Sequence, residues 1–405
     1  MQLKPNPLGV MVCGAASTLP LILHAAEGDK IGFKQMRYHE SDDRISVNYS
    51  LLEIQKEIGT DHSVRATLSF DTISGGTPIW VDAVSGASGS ATAQADGRIT
   101  VLQNWVDEET NETRTVEAGG NISKNGFVYR NTQLEDERRA INLRLTRRTP
   151  DRDEITIGGN YSEESDFTSK EGSLSYLYNL DASRNRSITL ASSYQLNTAF
   201  HPLYATWKDF HVIQTQLGYT HTFSKYSLGQ LNLFHSRQSG TLSNPYQTIL
   251  RFYTTDGLFW RAVEMRPDTR TSSGISGTLV TKIFDDTALH SSYRFYSDDW
   301  KMDSHTLEWI AHTRLDEDWV ISPMLRYYTQ NQAFFHKSGA SGDHFNDIEF
   351  GSVDQRLGDY HSTTLGIGIE KKLTEGWQLN LHAASQKQSN GLNMTWFSLG
   401  IDYGF

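Results

Sequence analysis

The sequence predicts an all-β protein, a transmembrane antiparallel β-barrel of about sixteen strands (range about 14–18) with short periplasmic turns and long outer loops. Two observations lead to this prediction. Apolar residues recur at every second position in segment after segment, and the connections between these segments alternate between short and long. No run of about 18 consecutive apolar residues occurs, which excludes helical membrane spans.

The end of the sequence shows the alternation most clearly. Its apolar side chains would point to one face of a strand and its small or polar ones to the other. The apolar set is Phe397, Leu399, Ile401, Tyr403 and Phe405, and the opposite set is Ser398, Gly400, Asp402 and Gly404. Ser398, Gly400, Tyr403 and Phe405 also resemble the C-terminal insertion motif of Gram-negative outer-membrane proteins. We expect this strand to close the barrel by pairing with a strand near residue 30.

Earlier segments repeat the pattern. Examples are Ile45, Val47, Tyr49 and Leu51; Val64, Ala66, Leu68 and Phe70; Ile141, Leu143 and Leu145; and Leu365, Ile367 and Ile369. Taking these apolar sets as lipid-facing puts charged residues on the opposite, lumen-facing side, where charge costs less. The lumen-facing candidates are Arg65, Arg144, Arg294, Arg326, Glu370 and His382. Aromatic residues at strand ends predict belts at the lipid interfaces. The tryptophans concerned are Trp300, Trp319, Trp377 and Trp396.

The connections between the predicted strands fall into two kinds. Short ones rich in turn-forming residues lie at Arg148–Asp153, Asp181–Asn185, Ser224–Lys225, Asp285–Asp286, Leu315–Glu317 and Thr374–Gly376. Longer polar ones lie at 71–138, 162–171, 196–210, 237–269 and 329–360. Segment 71–138 is too long to lack structure, and Ile99–Val106 with Thr113–Ala118 could form a hairpin above or inside the barrel. Whether 329–360 folds into the pore is left open.

The beginning of the sequence predicts export. Residues 1–26 read as a signal peptide, with Lys4, an apolar stretch and small residues near Ala26, and 27–405 as one barrel domain. Cys13 is the single cysteine, and Val12 before it argues against a lipoprotein. Removing Lys4 moves the formal charge from −11 to −12, so the exported chain offers no basic surface for nucleic acid.

Four stretches resemble a bacterial family known as domain of unknown function 3570. They are Tyr38–Val47, Phe70–Pro78, Ser85–Ser88 and Tyr161–Phe167. The resemblance covers the chain from about residue 30 to the end and implies an outer-membrane barrel. Members occur near thioredoxin-like proteins and a flavin transferase, which implies redox work in the cell envelope. The family offers no active site to carry over.

Candidate catalytic and metal-binding groups are weak. The pairs Asp42 and Asp43, Asp285 and Asp286, and Asp298 and Asp299 resemble outer-membrane protease aspartates in sequence only, and turns favour Asp in any case. Gly86–Gly89 falls short of a nucleophile elbow. Asp343, His344, Asp347 and Glu349 could hold a hard cation such as calcium, but a solvated acidic loop explains them better.

We therefore expect no enzyme, cofactor or metal, but a channel-like or scaffold protein of the outer membrane. Its partners would be lipids, the barrel-assembly machinery, and small solutes or a periplasmic protein. An outer-membrane hydrolase using rim or lumen His, Asp and Ser is the first alternative. A secreted soluble β-protein is the second.

Overall fold

The computed structural model describes residues 28–42, 44–76, 78–82, 91–93, 99–106, 113–118, 127–130, 135–201, 205–255 and 257–405. The predicted signal peptide, Cys13, Asp43 and the Gly86–Gly89 stretch lie outside this part of the chain. None of the helices in the described residues is long and apolar enough to cross a membrane.

The described strands are named in chain order. They are β1 Lys30–Glu40, β2 Ile45–Ile58, β3 His62–Gly75, β4 Ile79–Asp82, β5 Ala91–Ala93, β6 Ile99–Val106, β7 Thr113–Ala118, β8 Phe127–Arg130, β9 Glu135–Arg148, β10 Glu154–Glu163, β11 Phe167–Asn179, β12 Arg186–His201, β13 Thr206–Ser224, β14 Ser227–Gly240, β15 Thr248–Tyr253, β16 Leu258–Val263, β17 Thr269–Phe284, β18 Thr287–Asp298, β19 Asp303–Arg314, β20 Trp319–Gln330, β21 Phe345–Asn346, β22 Tyr360–Thr374, β23 Trp377–Gln388 and β24 Asn393–Gly404. A 3-10 turn covers Gln355–Leu357.

Sixteen of the described strands close into one antiparallel barrel, as the sequence predicts. Their order is β1, β2, β3, β9 to β14, β17 to β20 and β22 to β24. The predicted closure is confirmed, because β24 pairs with β1 in the register that places Tyr403 opposite Ile31 and Gly400 opposite Lys34. The shortest barrel strand, β10, has 10 residues, which is enough to cross a bilayer as a tilted strand.

The outside of the barrel carries an apolar band. Leu145 pairs with Ile157 and Ile157 with Leu174, and all three side chains are exposed. The C-terminal strand follows the same rule: Phe397 and Leu399 are exposed and Ser398 is buried. Near the chain end, the ring of Tyr403 lies between those of Trp377, at 4.7 Å, and Phe405, at 5.8 Å. A band of this kind faces lipid in a membrane barrel.

One apolar set takes the opposite face. Tyr49 lies across from Asp71, and Ile45 is only 5% exposed, so Ile45, Val47, Tyr49 and Leu51 point into the barrel. Ile54 and Leu68 occupy the outer face of the same strand pair. The interpretation of the Ile45 set as lipid-facing is therefore wrong. The reason is the register of the strand pair, which places Val47 and Tyr49 opposite the buried Ile73 and Asp71 on the inner face.

The belt interpretation of the tryptophans needs a similar correction. Trp319 and Trp377 begin strands at the end that carries the short turns, as an interfacial ring would. Trp300, however, is 2% exposed inside a hydrophobic core. Trp396 shares the inner face of β24 with Ser398 and lies opposite Tyr38. These two rings pack within the protein.

The two ends of the barrel differ. All six predicted short connections are turns, and they lie at the end that also holds Lys30 and Gly404. At the other end, the connections after β3, β14 and β20 are long. The predicted connections 162–171 and 196–210 are wrong in length, because β10 to β13 extend to Glu163, Phe167, His201 and Thr206. The predicted hairpin is confirmed with its bounds, since β6 pairs antiparallel with β7.

A charge on the lipid face gives a direct test of the face assignment. Leu365 is 64% exposed within β22, so Leu365→Arg should destabilise the folded barrel by about 2–4 kcal/mol if it lies near the bilayer midplane. Folding into lipid vesicles, followed by heat-modifiable migration in gels against urea, measures the loss. Glu370→Arg, on the inner face of the same strand, is the control. Equal losses for both variants would contradict the assignment.

Candidate functional site at the barrel mouth

The long connections at one end fold into a single structure, which we call the cap and define as residues 241–268 and 331–359. Its first hydrophobic core joins the cap to the barrel. This core contains Phe210, Val212, Leu242, Trp300, Met302, Ala333, Phe335 and Leu357. Phe210 and Val212 lie on the inner face of β13, since Val212 shares that face with Gln214 while Ile213 is exposed. The cap therefore packs on interior surface of the barrel end.

A second core lies within the cap. It contains Trp80, Ile249, Leu250, Ala262, Phe345 and Val353. Strands β16, β15 and β21 form a small sheet there, separate from the barrel. The connection after β3 joins it, because Thr248 Oγ1 donates to the Trp80 carbonyl at 2.5 Å and Gln247 Nε2 to the Pro78 carbonyl at 3.2 Å. Three long connections thus share one packed unit.

The cap reaches across the mouth. Arg44, between β1 and β2, donates through Nη1 to Gln355 Oε1 at 2.7 Å. The first core places Leu357 with Phe210 of β13. Counted around the barrel, β1 and β13 are the first and eighth of sixteen strands, so they stand on nearly opposite sides. A segment fastened to both must cross the opening.

A buried charge network holds the cap together. Arg266 pairs with Glu264 at 2.6 Å and with Asp354 at 2.9 Å, and Arg356 pairs with Asp354 at 2.8 Å. Burial raises the pKa of Glu264. Burial also favours a higher pKa for Asp354, but Arg356 and Arg266 prevail and lower it. Ser352 Oγ donates to Glu264 Oε2 at 2.5 Å. Removing one partner from such a network leaves an uncompensated buried charge.

Three carboxylates meet beside the cap. Ligand atoms of Asp136, Glu164 and Asp166 all lie within 4.8 Å of one another. Burial raises the pKa of Glu164 to about 8; Asp136 and Asp166 act in the same direction, and Arg138 opposes them. Among the described residues, this trio is the one group of three His, Cys, Asp or Glu side chains whose ligand atoms lie close enough together to hold a metal ion. Sequence reasoning missed it.

The loop proposed for calcium does not assemble as a ligand set. Asp347 Oδ1 accepts from the Thr254 backbone at 3.1 Å, and Glu349 Oε1 accepts from Lys337 Nζ at 3.1 Å. The ring of His344 packs edge-on against Phe259 at 5.1 Å. These groups fasten the cap instead.

The candidate catalytic aspartates have structural partners. Asp298 Oδ2 accepts from Arg270 Nη2 at 2.6 Å, and Asp299 Oδ2 accepts from the Thr271 backbone at 2.9 Å. Asp285 and Asp286 form the predicted turn between β17 and β18, and Asp285 pairs with Lys282 at 3.1 Å. Asp42 has a left-handed backbone with a φ of 60° in the turn after β1. Turn formation and pairing account for these residues.

The lumen candidates fall into separate groups along the barrel wall. Arg65 lies directly across from Arg144 in the β3–β9 pair, and its Nε donates to Gln55 Oε1 at 3.0 Å. The guanidinium of Arg294 lies 4.7 Å from the Phe234 ring centre.

The other candidates lie further around the wall. Arg326 is 4.0 Å from the carboxylate of Glu308. Glu370 accepts from Gln378 Nε2 at 3.3 Å. His382 pairs across strands with Ser398. The structure brings Arg65 and Arg144 together as cross-strand neighbours, and the other candidates occupy different strands.

A closed antiparallel barrel with an apolar outer band defines this chain as a membrane-spanning β-barrel, the fold of outer-membrane proteins. The chain belongs to the family described as "Protein of unknown function (DUF3570)", whose model matches residues 9–205 and 192–398. The family resemblance seen in the sequence is thereby confirmed. A comparison with curated proteins finds no match.

Several solved structures have a similar course of the chain. CdiB from Acinetobacter baumannii has a TM-score of 0.49 and 6% identity, over 94% of this chain and 61% of that one. A bacterial polysaccharide outer membrane secretin has a TM-score of 0.46 and 8% identity, over 94% and 100%. The siderophore receptor PirA from Pseudomonas aeruginosa has a TM-score of 0.43 and 8% identity. The comparison with PirA covers 90% of this chain but only 57% of that receptor.

Three of the four stretches that carry the family resemblance lie at the mouth, and the fourth, Ser85–Ser88, lies outside the described residues. Tyr38 donates to Glu40 at 2.8 Å, and Arg44 reaches the cap. Asp71 accepts from Arg138 Nε at 2.8 Å beside the carboxylate trio. The Tyr161–Phe167 stretch supplies two of the three carboxylates. Its closely spaced acids were the available clue to this site.

Proposed function

We propose that this protein is a non-enzymatic outer-membrane channel for small polar solutes, closed at its outer mouth by the cap. The observation that carries the proposal is the path of the cap, which is bonded to Arg44 beside β1 and packed with Phe210 of β13. A barrel of this size has room for an aqueous lumen. A packed segment across its mouth is the arrangement expected of a gate.

The inner wall supports passage of polar rather than apolar solutes. We propose that Arg65, Arg144, Arg294, Arg326, Glu370 and His382 line the path. We also propose that residues 1–26 direct export and that a periplasmic protein is a partner. Insertion into the membrane would depend on Ser398, Gly400, Tyr403 and Phe405. A redox role rests on the family resemblance alone. Because residues 28–405 contain no cysteine, a thiol for such a role would come from a partner.

Planar-bilayer recording of the purified, detergent-folded chain tests the channel. We expect the wild type to stay closed for most of the recording and variants with a loosened cap to conduct steadily. Protease cleavage within 331–359 verifies that the cap is loosened. If such a variant still showed no conductance, the channel function would be contradicted. That result would favour an envelope scaffold.

Acid should open the channel through Asp354. The pKa of this carboxylate is lowered in the folded cap. The ionised group therefore stabilises the cap fully when the pH is above 3.8, its unfolded pKa, and the stabilisation is lost as the pH falls further below that value. Glu264, whose pKa is raised above 4.5, acts in the opposite direction, but it is already largely protonated at pH 4. We therefore expect the open fraction to rise several-fold between about pH 4 and pH 2.

The variant Asp354→Asn separates this effect from general acid damage. Its cap should be loose at both pH values, because Arg266 and Arg356 have lost their shared carboxylate. Bilayer recordings at the two pH values measure the open fraction. An acid response of wild-type size in Asp354→Asn would assign the effect to other groups.

A further inference from the structure

The carboxylate trio is assembled by the backbone of two neighbouring strands. Asp136 is the second residue of β9, and Glu164 and Asp166 lie in the three-residue connection between β10 and β11. Because Glu163 of β10 pairs with Arg139 of β9, the connection comes level with the start of β9. The turn is closed by a hydrogen bond from the Glu164 N–H to the Phe167 carbonyl at 2.7 Å.

The site is buried and its hydrogen bonds leave acceptor capacity. Asp136 is 8% exposed and Asp166 is 2% exposed. Asp136 Oδ1 accepts from the N–H of Glu137 at 2.8 Å and of Ser165 at 3.4 Å. Its Oδ2 is buried and has no hydrogen-bond partner among the described residues. A buried carboxylate oxygen without a donor is costly unless a cation or proton compensates it.

The nearby positive charge is already engaged. Arg138 lowers the pKa of Glu164, but its guanidinium Nε donates to Asp71 Oδ1 at 2.8 Å. Asp71 in turn adds a further negative charge that acts on Glu164. Four carboxylates and one guanidinium therefore share this corner of the mouth. The carboxylates outnumber the guanidinium, so this corner offers the negative surroundings that favour a bound cation.

We propose that Asp136, Glu164 and Asp166 bind a divalent cation, with calcium as the preferred ion. All three ligand groups offer oxygen only, which suits a hard cation and not zinc or copper. Calcium takes six to eight oxygen ligands, including several carboxylates, whereas magnesium keeps several waters and usually takes one or two carboxylates. Three converging carboxylates therefore favour calcium. Water completes the coordination sphere.

The ion would fasten the cap to the barrel wall. Tyr246 of the cap donates its hydroxyl hydrogen bond to Asp166 Oδ2, which ties residues 241–268 to the β10–β11 connection. Phe200 N–H donates to the Asp166 carbonyl at 2.8 Å, so the same connection is also joined to β12. Calcium at this point would neutralise the repulsion between the carboxylate of β9 and those of the β10–β11 connection. The cation site stands whether or not the barrel conducts.

Calcium binding to the full-length, detergent-folded chain tests the proposal. We expect saturable binding of one Ca²⁺ by isothermal titration calorimetry, with a Kd of about 10⁻⁵–10⁻³ M, in the range of sensor and extracellular sites. Asp136→Asn combined with Glu164→Gln should weaken binding at least 10-fold. Glu375→Gln, an exposed acid in the turn between β22 and β23 at the opposite end of the barrel, should bind as the wild type does. No saturable binding, or equal binding by the double variant, would overturn the site.

A second measurement needs no variant to fold. Tb³⁺ added to the wild type should give luminescence sensitised by nearby aromatic rings such as Tyr246, and Ca²⁺ should displace it at concentrations at least 10-fold lower than Mg²⁺. Emission that does not saturate would overturn the site. Equal displacement by Mg²⁺ would overturn the preference for calcium.

Discussion

The variant Phe345→Ala is expected to open the channel about 100-fold more often than the wild type. Phe345 is fully buried in the second core of the cap, and removing a buried Phe ring costs about 3–5 kcal/mol. Each 1.4 kcal/mol changes an equilibrium about tenfold. The substitution destabilises the closed cap and not the barrel, because the β16–β15–β21 sheet is separate from the barrel. Open probability in planar bilayers measures the effect.

Ile348→Ala is the matched control for this prediction. Ile348 lies in the same segment, but its side chain is 76% exposed, so its truncation should leave the open probability unchanged. Heat-modifiable migration of both variants should match the wild type, since neither residue belongs to the barrel. If Phe345→Ala became protease-sensitive in the cap and still conducted no better, the gating role of the cap would be wrong.

The variant Arg266→Met should loosen the cap by a different route. It leaves Glu264 and Asp354, whose side chains are 0% and 2% exposed, without the guanidinium that both share. Breaking a buried pair by removing one partner costs about 3–5 kcal/mol. We expect an increase in open probability similar to that of Phe345→Ala, together with faster protease cleavage in 241–268.

A second substitution should reverse part of this loss. Asp354 keeps its pair with Arg356 in Arg266→Met, whereas Glu264 loses its guanidinium. Arg266→Met combined with Glu264→Gln removes that stranded carboxylate, so its open probability should fall back toward that of the wild type. Arg186→Met is the control, because its pair with Asp181 is exposed and lies at the opposite end. An equal effect of Arg186→Met would point to the barrel as a whole rather than to the cap.

The barrel could be predicted from the sequence because its walls obey a local rule. A membrane-spanning strand places alternate side chains in lipid, so apolar residues such as Leu143, Leu145 and Leu365 recur with a period of two wherever the chain crosses. The tight turns at the periplasmic end carry their own turn residues, as Asp285 and Asp286 do. Strand number, closure and most lipid-facing sets follow from these two patterns.

The same rule fails at the outer mouth, where a period of two does not say which face is inside. Ile45 and Tyr49 alternate like lipid-facing residues but point inward, because the register of the β2–β3 pair places them on the face that carries the buried Asp71 and Ile73. Polarity also misleads there. Strand pairing continues to Glu163 and Thr168, so polar residues there do not mark a loop.

The sequence by itself determined the class of this protein: an all-β chain whose alternating strands close from Lys30 to Gly404. Only the tertiary structure decided what stands in the opening. Arg44 and Gln355 are 311 positions apart and Tyr246 and Asp166 are 80 apart, yet each pair is hydrogen-bonded. Such contacts depend on how three long connections pack against one another, and no local periodicity encodes that packing.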